Sequence, residues 1–312
     1  MKKTITFIQS KNFKNNAYKY LTFFCFYIIA FTGNLFAQNY GSLNHLDGYK
    51  TKVYYSIGTD ERAKLMATRC DKVLTYYKKQ IKFEPLVTLL ILNPEDWSKY
   101  TKFPVYGMPH YNDNKTLIVA SEDNEFWKSF IPPINKLPKE LAEQITKTYS
   151  DKNNNLTMQS FFDLLAIHEL GHAYHIQDGL TMQRKWMGEL FANILLHAYI
   201  AENEPGLLPA LTVFPKMVLS GGKAGLKYTS LNDLENKYGE IGQKYPQNYG
   251  WYQCRWHSAA ENIYTLGGVK AFKKLWFTLK TQKEILDDDK LVTLLSKKTH
   301  QSIANVPLKW DE

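Results

Sequence analysis

Apolar and polar positions alternate from Tyr49 to Ile57 around Val53 and Tyr55, a period of two that predicts a strand. The period then changes. Thr59-Asp60-Glu61 is a helix start, and Met66, Cys70, Val73, Leu74 and Tyr77 form an apolar stripe running to about Lys82. Residues 86–92 are apolar apart from one threonine, as a strand covered on both faces requires. Pro94 opens a short helix, and residues 116–120 (Thr-Leu-Ile-Val-Ala) predict a further strand after the turn-rich 107–114.

Beyond this β-α-β-α-β order, strand signals largely cease. Pro132, Pro133, Pro138 and the polar 150–155 predict a loop-rich connection. A helix apolar nearly all round is expected from near Thr157 to Asp178-Gly179, and a second from about Met182 to Glu202. The Pro/Gly-punctuated 204–223 reads as a link, with further helices near 230–240, 248–265, 268–280 and 290–297. The fold class is α+β. A small N-terminal mixed sheet with helices occupies 38–125, and a mostly helical part occupies 156–312.

Composition matters most at the N-terminus. Residues 1–37 hold five lysines and no acid, and the stretch from Leu21 to Phe36 is largely apolar, the pattern of a secretory signal peptide cleaved after Ala37. That predicts a secreted or periplasmic protein, with an uncleaved membrane anchor as the competing expectation. Without those residues Lys+Arg falls from 39 to 34 against 30 acids, so the net charge drops from +9 to +4. No nucleic-acid partner is implied by so small a surplus lacking any aromatic-basic motif. Cys70 and Cys254 remain, compatible with one disulfide or with two buried free thiols. The remaining length suits one large domain or two close-packed subdomains.

The candidate chemistry lies on the first apolar helix, in His168-Glu169-Leu170-Gly171-His172. Histidines four residues apart share a helix face and can chelate one ion, and the imidazole pair suits Zn²⁺. Glu169 follows the first ligand directly and is the candidate general base. Two histidines and a glutamate on a buried helix are costly unless paired or metal-bound. For a third ligand, His175 lies about 10 Å along the axis from His168, too far to share an ion. Asp178 would need a sharp turn where His175 stands. Glu189 is the stronger candidate, the lone acid in an apolar run, and Gly188 beside it would let another backbone approach.

With residues 168–172 and 189–193 taken together, the sequence resembles the gluzincins, zinc metallopeptidases in which a His-Glu-x-x-His helix is followed by a helix that supplies a glutamate ligand. The resemblance implies a zincin-like fold, a zinc ion held by His168, His172 and Glu189, and peptide-bond hydrolysis with a peptide or protein as substrate. The family's aspartate four residues after the ligand glutamate is here Asn193, whose amide oxygen can still orient a histidine. An oxyanion donor is implied on the helix around 248–257. Tyr252 is the first candidate, then Tyr249 and His257, and strand 116–120 is the expected edge strand for an extended peptide. A zincin-fold binding or scaffold protein that keeps zinc but turns over little is the alternative, motivated by Asn193. A third possibility is hydrolysis of a non-peptide amide or ester by the same residues.

Overall fold

The computed structural model describes residues 40–312, so the expected targeting segment 1–37 lies outside the described residues. Within them the architecture is α+β, a small mixed sheet followed by a mostly helical remainder. The strands are β1 (Asn44–Leu46), β2 (Lys52–Tyr55), β3 (Thr88–Leu92), β4 (His110–Tyr111) and β5 (Thr116–Ala120), in the order β1-β2-β3-β5-β4. β2, β3 and β5 run parallel, and the two outer strands pair antiparallel with them. Every residue of β5 and four of five in β3 are buried, which explains their unbroken apolar runs; β2, nearer an edge, fully buries only Val53.

The expected edge strand 116–120 is therefore interior, and His110–Tyr111 forms the edge beyond it. Two residues are too few to display an alternation, so this strand left no signal in the sequence.

Between the strands lie α1 (Asp60–Ile81), with Asp60 and Glu61 in its first turn and Lys78 and Lys79 in its last, and α2 (Pro94–Tyr100), capped by Asn93 Oδ1 on the Asp96 amide. A short α3 (Glu125–Lys128) and α4 (Lys139–Tyr149) follow, the latter in a stretch expected to be loop. The motif helix α5 (Gln159–Gln177) ends at Asp178, where Gly179 takes φ +64°. α6 (Lys185–Asn203) packs along it.

Residues 208–220, expected as part of a link, form α7 (Leu208–Ser220); Pro209 sits in its first turn, where no amide donor is missed, and Pro215 lies inside it. α8 (Leu231–Lys244) precedes α9 (Pro246–Thr281), whose 36 residues are two helices that meet at a non-helical Gly268 with φ +56°, where the expected pair 248–265 and 268–280 divides. The chain ends with α10 (Asp288–Leu294), a π turn at Leu295–Thr299, and α11 (Gln301–Leu308). One cluster of buried residues runs from Leu43 to Trp310. α5, α6 and α9 pack together within it, and among the described residues no helix is long and apolar enough to cross a membrane.

Candidate metal centre

α5 and α6 owe their close packing to one residue. A Cβ placed on Gly171 would come within 2.7 Å of the Ala192 Cα, so only glycine lets the two backbones meet here. Gly188, expected to serve that purpose, instead faces the His175 ring, 3.8 Å from where its Cβ would be. The crossing sets Glu189 of α6 opposite the two motif histidines.

His168 and His172 bring their Nε2 atoms to 3.1 Å of each other. Glu189 Oε2 lies 3.4 Å from the first and 3.9 Å from the second. Glu169 joins the same cluster, since ligand atoms of His168, Glu169 and His172 all lie within 4.8 Å of one another. Two imidazoles and a carboxylate converging at such distances are a donor set suited to zinc.

The carboxylates differ in setting. Burial pushes the Glu169 carboxyl up to about 7. Burial would raise Glu189 too, but the neighbouring histidines and Gln253 outweigh it and hold Glu189 well below the usual carboxylate range. Its two oxygens are also gripped from outside α5: Tyr238 of α8 donates to Oε1 at 2.8 Å, and Gln253 of α9 donates to Oε2 at 2.8 Å. Glu189 is thus a fixed anion, whereas Glu169 can carry a proton near neutrality, a division of labour typical of paired active-site carboxylates.

The histidines are also set from behind. His172 Nδ1 lies 3.0 Å from His175 Nε2, which fixes the His172 ring, and burial lowers both histidines, to about 4 and about 3 respectively. His168 is raised, since Glu189 outweighs the opposing effect of burial. Asn193, fully buried, raises His168 further by a side-chain hydrogen bond, and its Nδ2 donates to the Glu189 carbonyl at 3.0 Å. Asp178, the other third-ligand candidate, pairs with Lys280 at 2.7 Å.

Tyr252 does not face the cluster. Its hydroxyl donates to the Ser230 carbonyl at 2.7 Å, and its ring stacks on Trp310. The reason is helical phase. Tyr249, Gln253 and His257 are spaced by four and form one stripe of α9, whereas Tyr252 falls about 100° off Gln253. That stripe, together with His168 and Glu169, lines a cavity of about 910 Å³ including the open solvent at its mouth. Tyr249 accepts from Gln253 Nε2 at 2.8 Å, so Tyr249, Gln253 and Glu189 are linked in series. Gln253 and Tyr238 were missed by the sequence reading. The spacing from Tyr249 to Gln253 is a detectable signal, but nothing local marks Tyr238, which reaches the site from another helix.

Cys70 and Cys254 are both free and buried, which selects the two-thiol expectation. No protein-family model matches the chain, and no curated protein matches it.

Proposed function

We propose that the chain is an exported, zincin-like metallopeptidase of gluzincin type that hydrolyses peptide bonds. The observation that carries this reading is the meeting of His168, His172 and Glu189 from two helices, with Glu169 beside them in a cavity wall. His168 and His172 would hold a zinc ion through Nε2, and Glu189 through Oε2. A zinc ion so held supplies a Lewis acid that polarises a carbonyl and acidifies water.

The protein's own residues do the rest. Glu169 takes a proton from the attacking water and passes it to the leaving amine, the task for which a carboxyl near pH 7 is suited. Tyr249, oriented by Gln253, is the donor to the developing oxyanion, in place of Tyr252. His175 and Tyr238 hold His172 and Glu189 in register.

Zinc retention without efficient turnover is the second reading, favoured by Asn193, which offers His168 an amide instead of a carboxylate. Two measurements separate them. Elemental analysis of the wild type is expected to find about one zinc per chain, sharply reduced in Glu189→Ala. A peptide mixture is expected to be cleaved by wild type and left intact by Glu169→Gln with its zinc retained. Full zinc in Glu189→Ala would refute the ligand assignment, and zinc without any cleavage would favour the second reading.

A further inference from the structure

The cavity beside Glu169 has walls of one chemistry. Phe103, Phe126, Phe130, Phe161, Phe162 and Phe214 surround it, and among the described residues no lysine, arginine or aspartate lines it. Its polar residues are gathered at the metal centre and along the Tyr249, Gln253 and His257 stripe. The phenylalanines brace one another: Phe126 lies 5.1 Å from Phe130 and 5.4 Å from Phe162, and Phe161 lies 5.3 Å from Phe214. Such a wall is set before any ligand arrives, and it would strip a charged group of water without offering a partner.

One wall residue has no side chain. Gly250 lies within helix α9 and lines the cavity, and a Cβ built on it would meet no atom within 4 Å. Glycine weakens a helix interior, and Gly250 has neither the close neighbour found at Gly171 nor the positive φ of Gly179. Its missing side chain leaves open space in the cavity wall.

We propose that this cavity receives one large uncharged apolar side chain of the substrate, flanking the bond to be cleaved, and that Gly250 sets the size it admits. The substrate half of the inference rests on the peptidase reading; the binding half does not.

The test begins with N-phenyl-1-naphthylamine, an uncharged apolar fluorophore, titrated into wild type, Gly250→Ala and Gly250→Trp. Saturable binding near one per chain is expected for wild type, weakened at least about tenfold in Gly250→Trp and changed little in Gly250→Ala. Circular dichroism checks that Gly250→Trp is folded, and Gly250→Leu replaces it if not. Absence of saturable binding, or equal affinity in wild type and the large variant, overturns the proposal.

A peptide library is then expected to be cut next to Phe, Leu, Tyr or Met by wild type and next to smaller residues by the large variant. Cleavage without that bias, or a bias unmoved by the variant, also overturns it. If wild type cuts no peptide at all, the peptidase reading falls, while the dye titration still decides whether the cavity binds an apolar group under the control of Gly250.

Discussion

Gly171 of the motif helix rests directly on the backbone of Ala192, with 2.7 Å between its missing Cβ and the Ala192 Cα. Ala192 is three residues beyond Glu189, so this contact sets how far Glu189 stands from His168 and His172. Gly171→Ala must push the two helices apart, because the obstacle is backbone and not a flexible side chain. Overpacking of this kind costs about 1–3 kcal/mol. The expected outcome is a lowered melting temperature together with a loss of bound zinc. Melting unchanged and zinc retained in Gly171→Ala would show that the crossing tolerates a methyl group.

The grip on Glu189 is separable from the ligands themselves. Tyr238→Phe removes the hydrogen bond to Oε1 and Gln253→Ala the one to Oε2, each leaving all three proposed ligands in place. Loss of such outer partners typically weakens metal affinity about 10–100-fold. Competition with a chelator of known zinc affinity measures this. Wild-type affinity in both variants would assign the two bonds to packing alone.

Much of this centre was legible in the chain. The His168 and His172 pair needs only the helical period, and Glu189 stands out as an acid in an apolar run. The strands at 88–92 and 116–120 were equally plain, since burial on both faces leaves unbroken apolar runs. What was hidden depends on tertiary placement. α7 contains two prolines that punctuate a sequence yet fit this helix, one of them in its first turn. Tyr238 reaches Glu189 across 49 residues of chain, and the close approach falls to Gly171 instead of Gly188 because helix phase at the crossing, not nearness to the ligand, decides which residue touches. Tyr252 shows the same limit: its neighbour Gln253, one position along, is the one aimed at the site.

The thiols offer a check on burial that involves no metal. Burial pushes Cys70 up to about 12 and raises Cys254 as well, so neither is a thiolate near neutrality. Iodoacetamide at pH 8 is expected to leave both unmodified in the native protein and to alkylate both in guanidinium chloride, read by peptide mass. Failure of both to alkylate after unfolding without reductant would indicate a disulfide instead.

The raised Glu169 carboxyl predicts how stability depends on pH in the metal-stripped protein. Its folded value of about 7 lies above its ordinary 4.5, so the folded state holds the proton more tightly. The stabilisation from that proton is full below pH 4.5 and is lost as pH rises through 7. Because the side chain is partly exposed, the loss is on the order of 2 kcal/mol. The buried histidines act oppositely at acid pH, so the difference between wild type and Glu169→Gln isolates this group. That difference in unfolding free energy, from urea titrations between pH 4 and 8, should favour the variant increasingly as pH rises. A constant difference across the range would place Glu169 in a wetter setting than its neighbours imply.

Arg62 of α1 forms a bidentate pair with Asp163 of α5, and the guanidinium also donates to the Ala120 carbonyl at the end of β5 at 3.4 Å. The two side chains are 8% and 9% exposed, so each would be stranded as a buried charge if the other were removed. Breaking such a pair from one side costs about 3–5 kcal/mol. For a domain of this size that corresponds to a fall in melting temperature on the order of 10 °C. Asp163→Ala and Arg62→Ala are each expected to show it. The cost belongs to the unpaired charge more than to the lost attraction, so Arg62→Met combined with Asp163→Leu should recover most of the stability. If the double variant is as unstable as the sum of the single ones, the pair contributes independently of its partner's burial. If it recovers stability but binds less zinc, the ion pair serves to position α5 over the sheet and not to hold the fold together.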